Sequence, residues 1–568
     1  MAMQPPIHAT HHMVSSGHHL ATQAGYEVLE AGGNAVDAGV AAGIALGVVY
    51  PDLVQFAGVA PIMIYLADED RVVTVSGLGW WPRAASLERF VSEFGGSIPD
   101  GILRTVVPAA PDAWIAALGR YGTMRFSEVA ASAMRFAGEG FSVHPPLRNN
   151  LAAHADAYRR WPANRDIYLP GGEPPAIGER FVQADLAGSI RYMMDQEAAA
   201  RGGRDAGLAA ARDAFYRGDL AREMARYHEE SGGWLTMEDL AEYRSAFEDP
   251  VVARLGEIEL FTCGAWCQGP LLAQMASLLD GLDIAALGHN GVQYVHTVTE
   301  AMKLCFADRE RYYGDPRFVD VPLPRLLSPG YNRERRALIR PDEAWPGMPP
   351  AGGEDAVEAA APEAGARTSP VPASPDTSYC CAIDRDGNCF SATPSDVSFQ
   401  SPVVPGTGLC PSSRGSQSWA VPGHASSVAP GKRPRLTPNP AFAKIPGRLA
   451  MPFGTPGGDV QTQAMLQVLL NVTRFGMTAQ DAIEAPRFAT HSFPNSFEPH
   501  HAFPGRLAVE DGIPETVTRE LARYGHDVER VADRSIGMGA VCAIRRDPGT
   551  GIMEGGADPR RMSRAMGR

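Results

Sequence analysis

Apolar residues recur along this chain with two different periods. From Thr22 to Ala31 they fall three and four apart, and the run closes on Gly32-Gly33. That pattern predicts an amphipathic helix ended by a glycine cap. Ala35–Val48 is small and apolar on nearly every side, which predicts a helix buried all round. Val59–Tyr65 and Val72–Val75 read as two strands of one hairpin around the charged Asp68-Glu69-Asp70. Thr236 ahead of Met-Glu-Asp-Leu predicts a capped helix start, with Asp239 three positions on. Helix and strand signals alternate in this way up to Arg340 with no internal repeat, which predicts an α/β fold.

The pattern then stops. Pro341–Asp376 holds 8 Pro, 9 Ala and 4 Gly in 36 residues, a composition poor at building a packed core, so it reads as a linker. Two short β-prone runs follow, Tyr379-Cys-Cys-Ala-Ile and Cys389-Phe-Ser-Ala-Thr, around Asp384-Arg-Asp-Gly-Asn. They predict a hairpin. If Asp384 and Asn388 face each other across a three-residue turn, Thr377 falls opposite Ser395, with side chains roughly 5 Å apart on one face. A two-residue turn would bring Asp396 there instead.

A threonine hydroxyl directly after a loose segment suggests an N-terminal nucleophile. The hydroxyl is inert at neutral pH without a base beside it, and cutting before Thr377 would free an α-amine of pKa about 8 to serve as one. A strand-initiating threonine after a linker accounts for the same residues. Further on, Phe453-Gly-Thr-Pro-Gly-Gly-Asp-Val-Gln leads into an apolar-periodic helix from Thr462 to Val472. Gly457 and Gly458 would let backbone N–H groups approach a developing oxyanion, and Asp459 is placed to cap the helix. A phosphate cradle lacks its Lys-Ser/Thr ending here. Cys263 and Cys267 have no second pair nearby, and the histidines at 8, 11, 12, 18 and 19 have no carboxylate or thiol company, so no metal is expected.

Composition narrows the class of protein. With 568 residues, 45% hydrophobic and 20% charged, the chain is globular. A net charge of −14 argues against a basic nucleic-acid-binding face. The most apolar stretches, Ala38–Pro51 and Leu53–Ala67, are broken by Asp52 and too short for a bilayer. No basic-then-apolar leader is visible, so a cytoplasmic location is expected. Eight cysteines are too few for a disulfide scaffold.

Several stretches together resemble the γ-glutamyltranspeptidase family of N-terminal-nucleophile hydrolases. They include Ser16-Gly-His-His-Leu-Ala-Thr-Gln-Ala-Gly, Gly32-Gly-Asn-Ala-Val-Asp-Ala, Phe215-Tyr-Arg-Gly and the run from Glu300 to Pro316. Asp376-Thr-Ser-Tyr, Gly431-Lys-Arg-Pro, Pro456-Gly-Gly, Ala485-Pro-Arg-Phe and Ala557-Asp-Pro-Arg follow in the family's order. The resemblance implies a four-layer αββα sandwich made as one precursor, cut between Asp376 and Thr377. Residues 1–376 would form the large subunit and 377–568 the small one, partners in one fold with no cofactor and with room for higher oligomers. It implies Thr377 as nucleophile, Ser395 as its hydroxyl partner, and Gly457 and Gly458 as the oxyanion-hole glycines.

The departures bear on substrate. Where the family grips an α-carboxylate with arginine, this chain reads Gly77-Leu78-Gly79, and Gln417 stands for the aspartate that holds the α-amino group. Leu436 and Thr437 replace a serine pair. The Gly-Thr-Pro-Gly-Gly-Asp-x-Gln loop is closer to the acylase and amidohydrolase members. The expectation is therefore an amidase acting on a small-molecule amide through an acyl-enzyme, with Leu78 and Trp80 lining an apolar acyl site and Arg414 near enough to hold a carboxylate. γ-Glutamyl transfer or glutathione hydrolysis is the alternative, and an uncut scaffold without turnover a second.

Overall fold

The computed structural model describes residues 4–353 and 376–568 of the chain. Its centre is a pair of seven-stranded antiparallel sheets. One runs, in spatial order, Arg564–Gly567, Met13–Ser16, Cys380–Ile383, Cys389–Ala392, Ile62–Leu66, Arg71–Val75 and Phe247–Glu248. The other runs Ile7–Ala9, Met553–Ala557, Cys542–Arg546, Leu449–Gly454, Ala441–Ile445, Ile258–Thr262 and Val251–Leu255.

The strand Cys380–Ile383 shows why the layers stack. Cys380 and Ala382 pack with Val14, Ile62 and Phe390 beneath the helix Ala35–Val49. Cys381 and Ile383 point the other way, with Met13 of their own sheet, against Phe442, Ala450 and Ile544 of the facing sheet. A strand covered on both faces reads as an uninterrupted apolar run, because alternate side chains leave for opposite sides. Helices His19–Glu30 and Ala35–Val49 cover the first sheet, and Gly269–Leu279, Val292–Tyr312 and Gln461–Arg474 the second. The result is the four-layer αββα arrangement of N-terminal-nucleophile hydrolases. Residues before and after position 376 share both sheets: Met13–Ser16 lies between Arg564–Gly567 and Cys380–Ile383 in one, and in the other Ile7–Ala9 pairs with Met553–Ala557 and Ile258–Thr262 with Ala441–Ile445.

Local expectations mostly hold, with shifted ends. The first helix starts earlier, at His19, where the His18 ring accepts the Leu20 N–H. Thr236 and Asp239 form the reciprocal capping box. The early hairpin is Ile62–Leu66 with Arg71–Val75, and Val59 instead bridges to Ser395.

The linker expectation needs correcting at its front. Residues 354–375 lie outside the described residues, but Pro341–Gly353 is docked on the helix Val292–Tyr312. The Trp345 N–H donates to Glu300 at 3.0 Å, the Lys303 ammonium to the Trp345 carbonyl at 2.8 Å, and the Gly352 N–H to Asp308 at 2.9 Å. Composition reported weak core-forming power and was blind to these polar anchors.

Candidate active site

The hairpin ladder pairs Cys380 with Ala392 and Ile383 with Cys389, and closes where the Asp384 N–H donates to the Asn388 carbonyl at 3.2 Å. This is the register of the three-residue turn. Its continuation carries the Ser378 N–H to the Pro394 carbonyl at 3.0 Å and brings Thr377 opposite Ser395. Val59 holds Ser395 from the other side through paired backbone bonds of 3.0 and 3.3 Å. The Thr377 and Ser395 hydroxyl oxygens stand 2.6 Å apart, and both residues are fully buried.

Arg414 organises the space beside them. One guanidinium nitrogen donates to the Ser395 hydroxyl, another to Asp376 Oδ2 at 2.9 Å, and Nε faces Asp396 Oδ1 at 3.6 Å. Asp396 also accepts from the Ser412 hydroxyl at 2.6 Å and from the Ser413 N–H and hydroxyl at 3.0 and 2.8 Å. Burial pushes the Asp396 carboxyl above the usual range, against the pull of Arg414 and the serines.

The residues around the Asp376–Thr377 bond have specific partners. The Thr377 N–H donates to the Leu53 carbonyl at 3.1 Å, and Arg561 donates to the Thr377 carbonyl at 2.8 Å. Between these anchors Thr377 holds φ at 73°. A β-branched residue in the left-handed region stores on the order of 1–3 kcal/mol of strain. Asp52, next to Leu53, is buried, and burial lifts its carboxyl to about 7 despite a hydrogen bond from Asn150.

The glycine loop starts beside this centre, because the strand Leu449–Gly454 ends against the Tyr379 ring. Gly457 and Gly458 follow with φ of 125° and 55°, conformations that favour glycine. Asp459 does not cap the following helix, which has no side-chain cap. It is taken up by Gln268, Arg309 and Ser496, the last through its N–H at 2.7 Å and its hydroxyl at 2.6 Å. Burial opposes the charge on Asp459, and Arg309 with Ser496 outweighs it, holding the carboxyl below the usual range. The side chain therefore fixes the loop from behind.

The expected substrate residues divide. Gln417 and Thr437 are brought together, with the Gln417 amide donating to the Thr437 hydroxyl at 2.8 Å. Arg414 does hold a carboxylate, and it is that of Asp376 within the same chain. Leu78 is only 1% exposed and packs with Val59, Trp266 and Leu436, so its side chain is core beside the Ser395 bridge. A Cβ on Gly77 or Gly79 would lie 1.8 Å from the Ala60 carbonyl oxygen or 1.7 Å from that of Val107, so neither position accepts a side chain. Trp80 is half-buried, its ring tilted against Tyr243 with Arg317 over its face. Trp81 is fully buried, donates to the Ser418 hydroxyl at 2.9 Å and braces the turn that carries Arg414.

Arg561 and Asp52 were not picked out as site residues from the sequence, and Asp396 only as the partner Thr377 would meet under a two-residue turn. Arg561 directly follows the Ala557-Asp-Pro-Arg stretch, and Asp396 directly follows Ser395, so adjacency to matched residues was the available signal. Among the described residues one group has metal-ligand character, His296, Glu300 and His526, all buried with ligand atoms within 4.8 Å. The Lys303 ammonium sits 2.8 Å from Glu300 and already supplies the positive charge, so the group reads as an internal polar network.

The gamma-glutamyltranspeptidase family model matches residues 21–568. The chain belongs to that family. It is 34% identical over 552 residues to the Acylase ACY 1 proenzyme of Pseudomonas sp. (strain SE83), covering 94% of this chain and 90% of the relative. It is 30% identical over 570 residues to the Glutathione hydrolase-like YwrD proenzyme of Bacillus subtilis (strain 168), covering 100% of both. Among solved structures it is similar to the cephalosporin acylase from Bacillus halodurans, with a TM-score of 0.86, 28% identity, and coverage of 100% of this chain and 98% of that one. The chain is an amide-hydrolysing enzyme of the N-terminal-nucleophile hydrolase type.

Proposed function

We propose that this member of the family is a self-processing threonine amidohydrolase whose acyl site is not built for γ-glutamyl groups. The observation that carries the reading is the buried Thr377–Ser395 hydroxyl pair, 2.6 Å apart. In maturation the Thr377 hydroxyl oxygen adds to the Asp376 carbonyl carbon. The C–N bond then breaks, and the hydroxyl proton passes to the departing nitrogen. Water hydrolyses the resulting ester, leaving Asp376 as a carboxylate and Thr377 with a free α-amine. Strain at Thr377 is relieved in the same step.

In turnover the freed amine takes the hydroxyl proton as the oxygen attacks a substrate amide, an acyl-enzyme forms as the amine product leaves, and water restores the hydroxyl. Gly457 and Gly458 supply N–H groups to the oxyanion, with Asp459 bracing them from behind. The γ-glutamyl head group would need a charged grip at both its ends. Leu78 is packed in core and Gln417 is neutral, which favours the acylase side of the family over glutathione hydrolysis.

The test is a hydrolysis screen of acyl p-nitroanilides on cut protein, γ-glutamyl-p-nitroanilide included. Hydrolysis of other acyl groups well above γ-glutamyl is expected. A clear preference for γ-glutamyl would put the chain with the glutathione hydrolases instead.

A further inference from the structure

We propose that Arg561 is a positioning residue for the nucleophile: its buried charge keeps the freed Thr377 amine unprotonated at neutral pH, and so ready to act as base. The inference rests on the reading of Thr377 as nucleophile. Arg561 is 5% exposed, and one of its guanidinium nitrogens donates to the Thr377 carbonyl at 2.8 Å. The Thr377 nitrogen, which becomes the amine, belongs to the same residue and donates to the Leu53 carbonyl at 3.1 Å. Covalent geometry within one residue therefore keeps the guanidinium about 5 Å from that nitrogen. Arg560, next in the chain, is tied to Glu510 and Asp558 and anchors the segment that presents Arg561. Among the described residues every other buried arginine has a carboxylate within ion-pair distance. Arg561 has none, and its Nε is buried without a hydrogen bond. A buried cation without a counter-ion is costly to keep, and its field is left uncancelled where the amine will form.

The neighbouring groups do not cancel that field. Burial lifts the Asp52 carboxyl, next to Leu53, to about 7, so it carries no charge below neutrality. Asp396 is engaged by Arg414, Ser412 and Ser413, and Asp558 by Arg487 and Arg560. Tyr50 accepts the Met562 N–H beside Arg561, and burial pushes its hydroxyl up, so it is neutral. His18 and His144 pack on the Tyr50 ring, and burial pushes both down, so they are neutral too. Asp376, the remaining anion, is detached from Thr377 by the cut. Arg414 is a second cation, held off from Thr377 by the Ser395 hydroxyl.

An ordinary α-amine, of pKa about 8, is about nine-tenths protonated at pH 7. A positive charge about 5 Å away in a partly buried setting lowers that pKa by about one to two units. The amine is then free to take the Thr377 hydroxyl proton as the oxygen bonds to the substrate carbonyl carbon. It gives the proton to the departing nitrogen as the C–N bond breaks, a return that the nearby guanidinium favours.

Two pH profiles of cut enzyme test this. On an acyl p-nitroanilide, wild-type kcat/KM should fall on the acid side with a midpoint of about 6–7. Competitive labelling of the Thr377 amine by trace acetic anhydride, read by peptide mass spectrometry, should give the same midpoint and separates the amine from Asp52. In Arg561→Gln both midpoints should move up by at least about one pH unit, with most of the activity regained at about pH 9. Arg561→Lys keeps the charge and should stay within about half a unit of the wild type. A purely structural role would lower kcat and move neither midpoint, so unmoved midpoints in Arg561→Gln would overturn the proposal and leave the nucleophile assignment intact. A wild-type amine that labels with a midpoint of about 8 or above would do the same, and it decides the matter if Arg561→Gln stays uncut. Amide hydrolysis by the Thr377→Ala chain would instead overturn the nucleophile assignment, and the role of Arg561 with it.

Discussion

The Ser395 hydroxyl is held between the Thr377 hydroxyl, 2.6 Å away, and a donating Arg414 guanidinium. An oxygen that already accepts from a cation can give its own proton to the threonine or share the threonine's as attack begins. Ser395→Ala removes that relay and leaves Arg414 short of an acceptor. It should slow both chain cutting and turnover by about 10- to 100-fold, the cost of one charge-linked hydrogen bond. Ser395→Thr should keep most of both. A time course of band conversion on a denaturing gel, with kcat on the cut product, reads the effect. Unchanged rates in Ser395→Ala would mean that the contact is only packing.

The glycine loop makes a separate prediction. Gly458 holds φ at 55°, where a β-branched residue is strained, and the N–H groups on either side depend on that conformation. Gly458→Val should lower kcat by about 10²–10³-fold, the range for loss of an oxyanion donor, with a smaller change in KM. Normal turnover in this variant would place the oxyanion hole elsewhere.

γ-Glutamyl recognition should not be restored by a single arginine. Leu78 is enclosed by Val59, Trp266 and Leu436, and the flanking Gly77 and Gly79 cannot carry side chains. Leu78→Arg would bury an unpaired charge, so it should lower thermal stability and leave γ-glutamyl-p-nitroanilide a poor substrate, about 10³-fold below the best acyl anilide in kcat/KM. Calorimetry and the anilide assay check the two halves. A stable variant with strong γ-glutamyl turnover would show that the arginine site persists in the fold.

Asp52 gives stability a pH dependence of known sign. Burial lifts its folded pKa to about 7 from an ordinary aspartate value of 3.8. Below the unfolded value both states keep the proton and Asp52 costs nothing through ionisation. As pH rises from about 4 to 7 the unfolded chain releases the proton while the folded one retains it, so stability falls by up to about 4 kcal/mol and levels off above the folded pKa. Asp52→Asn should flatten this slope and be the more stable protein at pH 8. Denaturant midpoints at pH 4.5, 6 and 8 decide it, and identical slopes in both proteins would refute a neutral buried carboxyl.

The parts of the fold legible in the sequence were those governed by neighbours along the chain. The register that set Thr377 against Ser395 followed from one turn, because Asp384 and Asn388 close a hairpin whose pairing then has no freedom. The Thr236–Asp239 box and the helix before Gly32 are equally local. What stayed hidden depends on contacts across the sequence. Arg561 reaches Thr377 from the far end of the chain, and Asp459 is drawn from a helix cap into the Arg309 network. Leu78 read as pocket wall because an apolar residue carries no mark of which apolar surface it joins. Asp376 read as the linker's last residue and one side of the cut, and its ion pair with Arg414 depends on a contact across the sequence.

Cleavage of the bond before Thr377 is what makes Thr377 a nucleophile with its own base. Mass spectrometry of the purified protein should find two chains, residues 1–376 and 377–568, the smaller one beginning Thr-Ser-Tyr, and Thr377→Ala should remain one chain with no amidase activity. An intact wild-type chain that hydrolyses amides, or a Thr377→Ala chain that is cut at the same bond, would contradict it.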